Sequence, residues 1–370
     1  MFSGIAYENA DACRFCWMCR HLCPIALRTG KEINGARAKG LAVSMMERGM
    51  DYDESVAAAM WECALCGSCS NNCATGYEPR IFIREARSQA VAQGIAPDAV
   101  MDLFHVMMRT GNLYGKSPDE KFAAIKDSVS SLPSTASVLL YIGDVAAEKA
   151  PELAKASIAI LKEAGVDFTV LADEPASGAY LGDLIGFVEE VRARAVRLCA
   201  RIKESKADRV VALDPLDARI MLHEYNEWNL ELSADVVTMP AYLAELVRLK
   251  QISLHALDLP GCTFHDAGAL SRDLHDTESA RFVLKAMGID IEEMFLNRDL
   301  AKSCGGALLL EYAPELTEQT AQGRLEDAAR TSARTIITEA PGSYAVFKTF
   351  CPDDVTITDL TLLVEQALEI

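Results

Sequence analysis

The amino-terminal fold is decided by a cysteine spacing that occurs twice. Residues 13–24 read CRFCWMCRHLCP, and residues 63–73 read CALCGSCSNNC. In each stretch three cysteines recur at every third residue and a fourth follows four residues later; proline follows the fourth in the first stretch, whereas Ala74 does so in the second. Eight of the twelve cysteines therefore lie in two groups of eleven residues, which points to metal chemistry.

This spacing is typical of the ligands of [4Fe–4S] clusters. Three cysteines at such intervals wrap one cube, and the fourth, often before proline, ligates the other cube in two-cluster ferredoxins. The spacing therefore predicts two interlocked sites. The first cysteine site comprises Cys13, Cys16, Cys19 and Cys73, and the second cysteine site comprises Cys63, Cys66, Cys69 and Cys23.

Zinc and disulfide bonds are the alternatives for these cysteines. Structural zinc normally uses two Cys-x-x-Cys pairs a dozen or more residues apart, and a third cysteine at the same short spacing is redundant for a tetrahedral ion. Disulfides need an oxidising compartment, and cysteines three residues apart on a tight loop pair poorly. The pattern favours clusters over both.

Composition limits the class of protein. The chain has 370 residues, of which 50% are apolar and 24% charged, enough for two or three folded domains. Its net charge of −18 argues against nucleic-acid binding, because phosphates select clustered Lys and Arg. No apolar run approaches the length of a membrane span and no export signal starts the chain. We therefore expect no integral membrane segment, and a soluble protein that is cytoplasmic or peripheral to a membrane complex.

The hydrophobic pattern predicts an all-α domain at residues 1–115. Apolar residues recur at threes and fours in Gly35–Met50, Ser55–Trp61 and Ile81–Ala92, with charges on the opposite face. No run in this part has the pattern of a strand. Residues 116–136 gather Gly, Ser and Pro around one short amphipathic helix, which we interpret as a linker.

A different pattern occupies residues 137–370. Short β-branched runs alternate with longer helical ones, which predicts parallel strands joined by crossover helices. A strand followed by a proline turn and a helix is predicted in two runs, RVVALDPLDARIML and RTIITEAPGSYAVF. The α/β arrangement therefore occurs twice. The predicted fold class is thus mixed, an all-α domain followed by a duplicated α/β domain with parallel sheets.

The segment from Cys13 to about Arg87 resembles a known type of α-helical ferredoxin domain. It is found in the C and D polypeptides of heterodisulfide reductase, in the glycolate oxidase iron–sulfur protein and in the C polypeptide of anaerobic glycerol-3-phosphate dehydrogenase. The 39 residues between Cys23 and Cys63 are too many for the compact bacterial ferredoxin. The resemblance implies two clusters that pass single electrons between a flavin and a downstream acceptor.

Residues 137–370 resemble the duplicated Cys-Cys-Gly domain that follows such ferredoxins and holds a further iron–sulfur centre or reactive site. Other residues stand where that family has cysteines: Gly143-Asp144, Ala176-Ser177-Gly178, Asp214-Pro215-Leu216-Asp217, Gly268 and Ala340-Pro341-Gly342-Ser343. Only Cys304, in Ser303-Cys304-Gly305-Gly306, remains. We therefore expect the fold to be retained and its cluster chemistry to be lost.

The predicted function is that of an electron-transfer subunit that is not itself catalytic. No G-x-G-x-x-G turn follows a strand, so we expect the flavin on a partner, a flavoprotein oxidase or dehydrogenase, with a further acceptor downstream. One alternative is a thiol/disulfide reductase acting at Cys304. This cysteine could be a reactive thiol or a ligand completed by His265 and Asp266, but we favour a small residue packed beside the Gly305-Gly306 turn. Another is a docking or scaffold module of a larger redox complex.

Three arginines follow the second cysteine group at helical spacing, namely Arg80, Arg84 and Arg87. They could face an acidic partner or lower the electrostatic cost of reducing an anionic cluster. We expect instead a solvated helix face.

Overall fold

The amino-terminal part of the protein is helical. The computed structural model describes residues 2–13 and 15–369. The first helices are α1 (Gly4–Asp11), α2 (Pro24–Thr29), α3 (Ala36–Glu47), α4 (Glu54–Trp61), α5 (Ser68–Asn71), α6 (Pro79–Gln93) and α7 (Asp98–Thr110). No strand occurs in residues 2–13 and 15–115, and α3, α4 and α6 lie where the apolar periodicity predicts helices.

Local chemistry explains where these helices begin and end. The Asp53 carboxylate accepts the amide of Val56 at 3.0 Å and caps α4. Helix α6 begins with Pro79, whose missing N–H leaves no unpaired donor in the first turn. It ends at Gly94, whose φ of 71° lies in the left-handed region that glycine adopts without strain.

The segment predicted to be a linker forms short helices that pack against the rest of the protein. They are α8 (Pro118–Lys121) and α9 (Lys126–Val129), separated by a tighter turn at Ala123–Ile125. Two helices therefore replace the single one that the pattern predicts. Phe122 and Ile125, at the two ends of this turn, are both buried and attach the segment to the core.

Seven strands and twelve α-helices form the remainder of the chain up to residue 369. The strands are β1 (Val138–Tyr141), β2 (Phe168–Thr169), β3 (Arg209–Ala212), β4 (Asp235–Thr238), β5 (Cys262–Phe264), β6 (Thr335–Thr338) and β7 (Thr356–Asp359). The helices are α10 (Asp144–Lys149), α11 (Pro151–Glu163), α12 (Ala179–Ile185), α13 (Glu189–Ser205), α14 (Pro215–Leu222), α15 (Glu224–Glu227), α16 (Met239–Arg248), α17 (Ser279–Ala286), α18 (Ala307–Tyr312), α19 (Pro314–Ala329), α20 (Pro341–Phe350) and α21 (Leu360–Ala367). The strands form two parallel sheets, ordered β2-β1-β3-β4 and β5-β6-β7.

The two sheets repeat one arrangement. The order β1-β3-β4 corresponds to β5-β6-β7, and Pro215 and Pro341 begin the helices that follow β3 and β6. Before α12 and α18, Gly178 and Gly305 take φ values of 95° and 111°. The predicted mixture of helices with parallel sheets is confirmed, whereas the domain boundaries at 1–115, 116–136 and 137–370 stay a prediction.

A continuous hydrophobic core joins the helical part to the first sheet. Trp61 and Phe82 from the helical part belong to the same buried cluster as Leu184 and Tyr225. The Trp61 indole donates to the Leu184 carbonyl at 2.9 Å across this junction. Within residues 2–13 and 15–369, no helix has both the length and the apolar composition needed to cross a bilayer.

Candidate metal centre

The two cysteine loops share one unusual backbone conformation. Phe15 and Trp17 have φ values of 53° and 68°, and Leu65 and Gly67, at the matching positions, have 48° and 74°. Three of these four residues carry side chains that normally avoid the left-handed region. The repeated conformation turns each loop tightly around its cysteines.

This turn points backbone amides at sulfur. The amide of Phe15 donates to Sγ of Cys13 at 3.5 Å, and the amide of Leu65 donates to Sγ of Cys63 at 3.4 Å. Amide hydrogens directed at sulfur favour its negatively charged form and are among the means by which proteins adjust cluster potentials. The loops are therefore built to accommodate negative charge on sulfur.

The second cysteine site surrounds one apolar cavity. Cys23 reaches it from the start of α2 and joins Cys63, Cys66 and Cys69 in its lining. Burial raises the pKa of the Cys23 thiol to about 12, and charges on Cys66 and Cys63 act in the same direction. Burial likewise raises the pKa of Cys69 far above its usual value, reinforced by the other three cysteines. Four partly buried thiols facing one space suit a metal cluster, which displaces their protons.

The first cysteine site lies nearer the surface. Cys16 is exposed, and burial together with Cys13 and Cys16 raises the pKa of Cys19. Cys73 approaches on the loop that follows α5, where the Thr75 hydroxyl donates to the Ala12 carbonyl at 3.3 Å, next to Cys13. Burial would raise the pKa of Cys73, but hydrogen bonds from Thr75 and the two following amides hold it below its usual value.

Tyr77 lies between the two sites. Its ring is buried, and its electrostatic environment includes Cys13 and Cys73 of the first site and Cys69 of the second. Its hydroxyl donates to the Ala36 carbonyl at 2.7 Å. This packing requires Gly40, since a Cβ there would lie 2.1 Å from the tyrosine oxygen. The structure thus brings the predicted residues of both sites to one small region, while the ligand assignment itself stays a prediction.

The expectation of a solvated arginine face on α6 is wrong. Arg87 and Arg84 are only 1% and 9% exposed. Arg84 pairs with Asp183 at 2.7 Å, and Arg80 pairs with Asp273 at 2.6 Å. The polar face of α6 packs against acidic groups of the α/β part instead of water.

Arg87 has a different environment. Its Nη2 donates to the carbonyls of Met60 and Cys63 at 2.8 and 2.7 Å, and its Nη1 donates to the Asp183 carbonyl. It therefore binds the loop of the second cysteine site through backbone oxygens. Lys39, fully buried in the lining of the same cavity, donates to the Ile33 carbonyl at 2.9 Å.

The α/β part also contacts this loop directly. After Gly268 the chain forms a wide helical turn, Ala269–Asp273, which carries Arg272 to the second cysteine site. Nε of Arg272 donates to the Cys66 carbonyl at 2.7 Å, and Nη1 donates to the Ala301 carbonyl at 2.8 Å. Neither Arg272 nor Lys39 was a candidate from sequence, because neither lies in a motif.

A cavity of about 130 Å³ separates the two α/β halves beside the second cysteine site. Cys63 and Cys66 form one wall, while Asp214 and Ala340, which follow β3 and β6, lie on the others. The carboxyl ends of parallel strands are the usual place for ligands in such folds. Cys304, 1% exposed, lines this cavity too.

The set of Cys304, His265 and Asp266 is only partly brought together. His265 lines the same cavity and accepts a hydrogen bond from Arg324 at Nδ1, 3.2 Å away. Asp266 instead pairs with Arg281 at 2.6 Å. Burial raises the pKa of Cys304, which opposes formation of a reactive thiolate.

The first α/β half has carboxyl groups where the second has small residues. The Ser177 hydroxyl donates to Asp217, and the Tyr180 hydroxyl donates to Asp214 at 2.5 Å. Burial, followed by the charge of Asp214, raises the pKa of Asp217 far above its usual value. The positions that match Asp214 and Asp217 in the second half are Ala340 and Ser343, which line the cavity without a carboxyl group.

The first half holds further buried charged residues, Lys121 and Glu174, which the sequence analysis did not identify. Lys121 pairs with Asp144 at 2.9 Å and with Glu174 at 3.0 Å. Glu174 accepts the amides of Ile142 and Gly143 at the end of β1. A polar cluster thus occupies the first half, and its members include Asp144, Ser177, Asp214 and Asp217.

In the part of the chain that the structure describes, no three His, Cys, Asp or Glu side chains are close enough to hold a single metal ion. A four-iron cube is larger than one ion, so its ligands stand further apart. The donor set at both cysteine sites is entirely sulfur, the type preferred by iron–sulfur clusters.

Comparison with known proteins agrees with this chemistry. Residues 9–77 match the family described as 4Fe-4S dicluster domain. The chain is 24% identical to the D polypeptide of the dihydromethanophenazine:CoB–CoM heterodisulfide reductase of Methanosarcina acetivorans, over 83% of this chain and 77% of that protein. It is 22% identical to a protein of Chromohalobacter salexigens named "Probable membrane-anchored ferredoxin", over 97% of this chain.

A further relative is an EtfAB:quinone oxidoreductase of Syntrophomonas wolfei, 23% identical over 86% of this chain. The chain spans 60% of the length of the Chromohalobacter protein and 51% of that of the Syntrophomonas protein. With its dicluster match and these relatives, the chain resembles an iron–sulfur electron-transfer protein of the type represented by the D polypeptide of heterodisulfide reductase.

Proposed function

We propose that this chain passes single electrons between a flavoprotein partner and a downstream acceptor within an oxidoreductase complex. The first and second cysteine sites would each hold one [4Fe–4S] cluster, which supplies reversible one-electron chemistry. Names among the relatives support a place in such complexes, since one is a heterodisulfide reductase polypeptide and another an EtfAB:quinone oxidoreductase.

The observation that carries the proposal is the meeting of distant cysteines in one cavity. Cys23 lies forty residues before Cys63, yet both line the same apolar space with Cys66 and Cys69. Four sulfur ligands that converge from separate segments on one space are the donor set that an iron–sulfur cluster needs. The crossed arrangement also ties the two cysteine loops together.

The chain's own residues prepare each site for electron transfer. Amides of Phe15 and Leu65 stabilise negative charge on sulfur, as their contacts with Cys13 and Cys63 indicate. Tyr77 fills the space between the sites and keeps water out of it. The exposed Cys16 leaves the first site close to a protein partner, whereas the second faces the interior cavity.

The ligand assignment is tested by replacing Cys23 and Cys73, the two cysteines assigned to the opposite loop's cluster, one at a time. We expect about eight irons and eight sulfides in the anaerobically purified chain, and paramagnetic resonance of two neighbouring reduced clusters. Cys23→Ser should alter the signal of the second site alone, and Cys73→Ser that of the first alone. Cys351→Ser, outside both sites, is the matched control and should change neither signal.

Opposite assignments for Cys23 and Cys73 would refute the crossing. A colourless chain without iron, or one holding zinc on the same cysteines, would refute the function itself.

One observation favours a second candidate function, a thiol/disulfide reductase acting at Cys304. Its thiol lines the cavity that Cys63 and Cys66 also line. This candidate predicts that Cys304→Ser abolishes turnover of a disulfide substrate while both cluster signals persist. The raised pKa of Cys304 makes it the weaker of the two.

A further inference from the structure

Three buried cations lie beside the second cysteine site and form no direct ion pair with a carboxylate among the described residues. Lys39, Arg87 and Arg272 are 0%, 1% and 6% exposed. Each donates to backbone carbonyls, and two of the acceptors are the oxygens of Cys63 and Cys66. Among residues 2–13 and 15–369, none of the three cations forms an ion pair with Asp or Glu within 4.0 Å. Nη2 of Arg272 has no hydrogen-bond partner among these residues.

Two other buried arginines, by contrast, are neutralised by carboxylates. Arg84 pairs with Asp183 at 2.7 Å, and Arg219 pairs with Glu224 at 3.3 Å. Burying a charge is strongly unfavourable unless an opposite charge accompanies it. The cations at the second site have carboxylates only at longer range, Glu62 for Lys39 and Asp183 for Arg87, and the four cysteines supply a further counter-charge when they hold a cluster.

The first cysteine site has no comparable group among the described residues. Arg20 and Arg37 line a pocket with Cys19 of this site, and they share the carboxylate of Glu32 at 4.0 and 2.8 Å. The side chains of Arg20 and Glu32 are 57% and 43% exposed, so solvent screens their charges. The described cations at the first site are therefore paired and partly exposed to solvent, whereas those at the second site are buried and directly unpaired.

We propose that Lys39, Arg87 and Arg272 favour the reduced state of the second cysteine site, so that an electron entering the chain resides there rather than at the first site. Reduction adds one negative charge, and net charge near a cluster is a main determinant of its potential. Water near the exposed first site likewise stabilises the added negative charge, which favours reduction of that site. The buried guanidinium groups of Arg87 and Arg272, together with Lys39, act through a low-dielectric interior and outweigh it. This inference rests on the proposed function.

Gly268 allows Arg272 to take its place. A Cβ on residue 268 would lie 2.2 Å from Nη2 of Arg272 and 3.3 Å from the Cys66 carbonyl. Gly268 has an ordinary helical φ of −60°, so alanine fits the backbone and only the steric contact changes. Gly268→Ala therefore moves the guanidinium while leaving its charge on the chain.

The test is a redox titration of the full cluster-loaded chain, followed by paramagnetic resonance with signals assigned through Cys23→Ser and Cys73→Ser. We expect the second site to be reduced first. Arg272→Gln should lower the equilibrium constant for reduction of the second site at least tenfold relative to that of the first site. For one electron this corresponds to a shift of about 59 mV in reduction potential. Arg272→Lys should retain most of the wild-type value, and Arg298→Gln, which removes an exposed paired arginine, should leave it unchanged.

Gly268→Ala provides a second variant if Arg272→Gln does not fold, and it should shift the second site in the same direction. The inference is overturned if the first site is reduced first, or if the folded variants shift both sites equally or neither. Absence of cluster signals in the wild-type chain would instead contradict the proposed function, so the two failures are distinguishable.

Discussion

Asp359 should make the stability of the α/β part depend on pH in a calculable way. Its carboxylate is 2% exposed at the end of β7. It accepts the Thr361 amide at 2.9 Å and the Thr338 hydroxyl at 2.7 Å. Burial raises its pKa from 3.8 to about 6 despite these hydrogen bonds. The folded protein therefore holds this proton more tightly than the unfolded chain does.

The sign follows from proton linkage. Between the two pKa values the folded state binds more protons than the unfolded state, so the free energy of unfolding falls as pH rises. The stability conferred by the protonated group is fully present below pH 3.8 and is lost as pH rises through about 6. A shift of this size corresponds to roughly 3 kcal/mol of lost stability at neutral pH and above.

Asp359→Asn should remove this loss. The asparagine oxygen can still accept the Thr361 amide, and its amide can donate to Thr338, whose hydroxyl then donates to the Thr358 carbonyl 3.1 Å away. The stability advantage of the variant over the wild type should grow by roughly 1.4 kcal/mol from about pH 5 to pH 8.

The assay is urea unfolding followed by circular dichroism at several pH values under anaerobic conditions. Only the difference between variant and wild type is compared, because other acids titrate equally in both proteins. Asp354→Asn, at an exposed position, is the control and should give a difference that does not vary with pH. A constant difference for Asp359→Asn would refute the reasoning.

Three further predictions concern the cysteine loops, the junction and the remaining thiol. Trp17 has a φ of 68°, so Trp17→Gly should be more stable to urea than Trp17→Ala by about 1 kcal/mol, reversing the usual order; equal stabilities would contradict this. Asp183→Leu leaves Arg84 buried without its partner and should lower the free energy of unfolding by about 3 kcal/mol, and adding Arg84→Met should recover part of it; strictly additive losses would exclude such coupling. Iodoacetamide should label Cys351 before the buried Cys304, as measured by peptide mass spectrometry; faster labelling of Cys304 would favour the reductase function.

Much of the architecture can be predicted from sequence because its signals are local. The β-branched runs before Pro215 and Pro341 form β3 and β6, and each proline begins the next helix as expected. The cysteine spacing is also local, and it predicts the members of both cysteine sites. The crossing of Cys23 and Cys73 could be proposed only because the fourth cysteine of such motifs points away from its own loop.

The electrostatic surroundings of the sites could not be predicted in the same way. Arg84 meets Asp183 across 99 residues of sequence, and Arg272 reaches Cys66 across 206. Helical spacing shows that Arg84 and Arg87 share a face, but it does not show whether water or another part of the protein covers that face. The interpretation as a solvated surface failed for this reason.

The absence of a side chain at residue 268 restricts which residues this position can accept. A cysteine introduced there would push against the guanidinium of Arg272, which is bound to the Cys66 carbonyl. A thiol added in the carboxy-terminal half would thus disturb the loop that carries Cys66. Any larger residue at position 268 would therefore need a compensating change at residue 272.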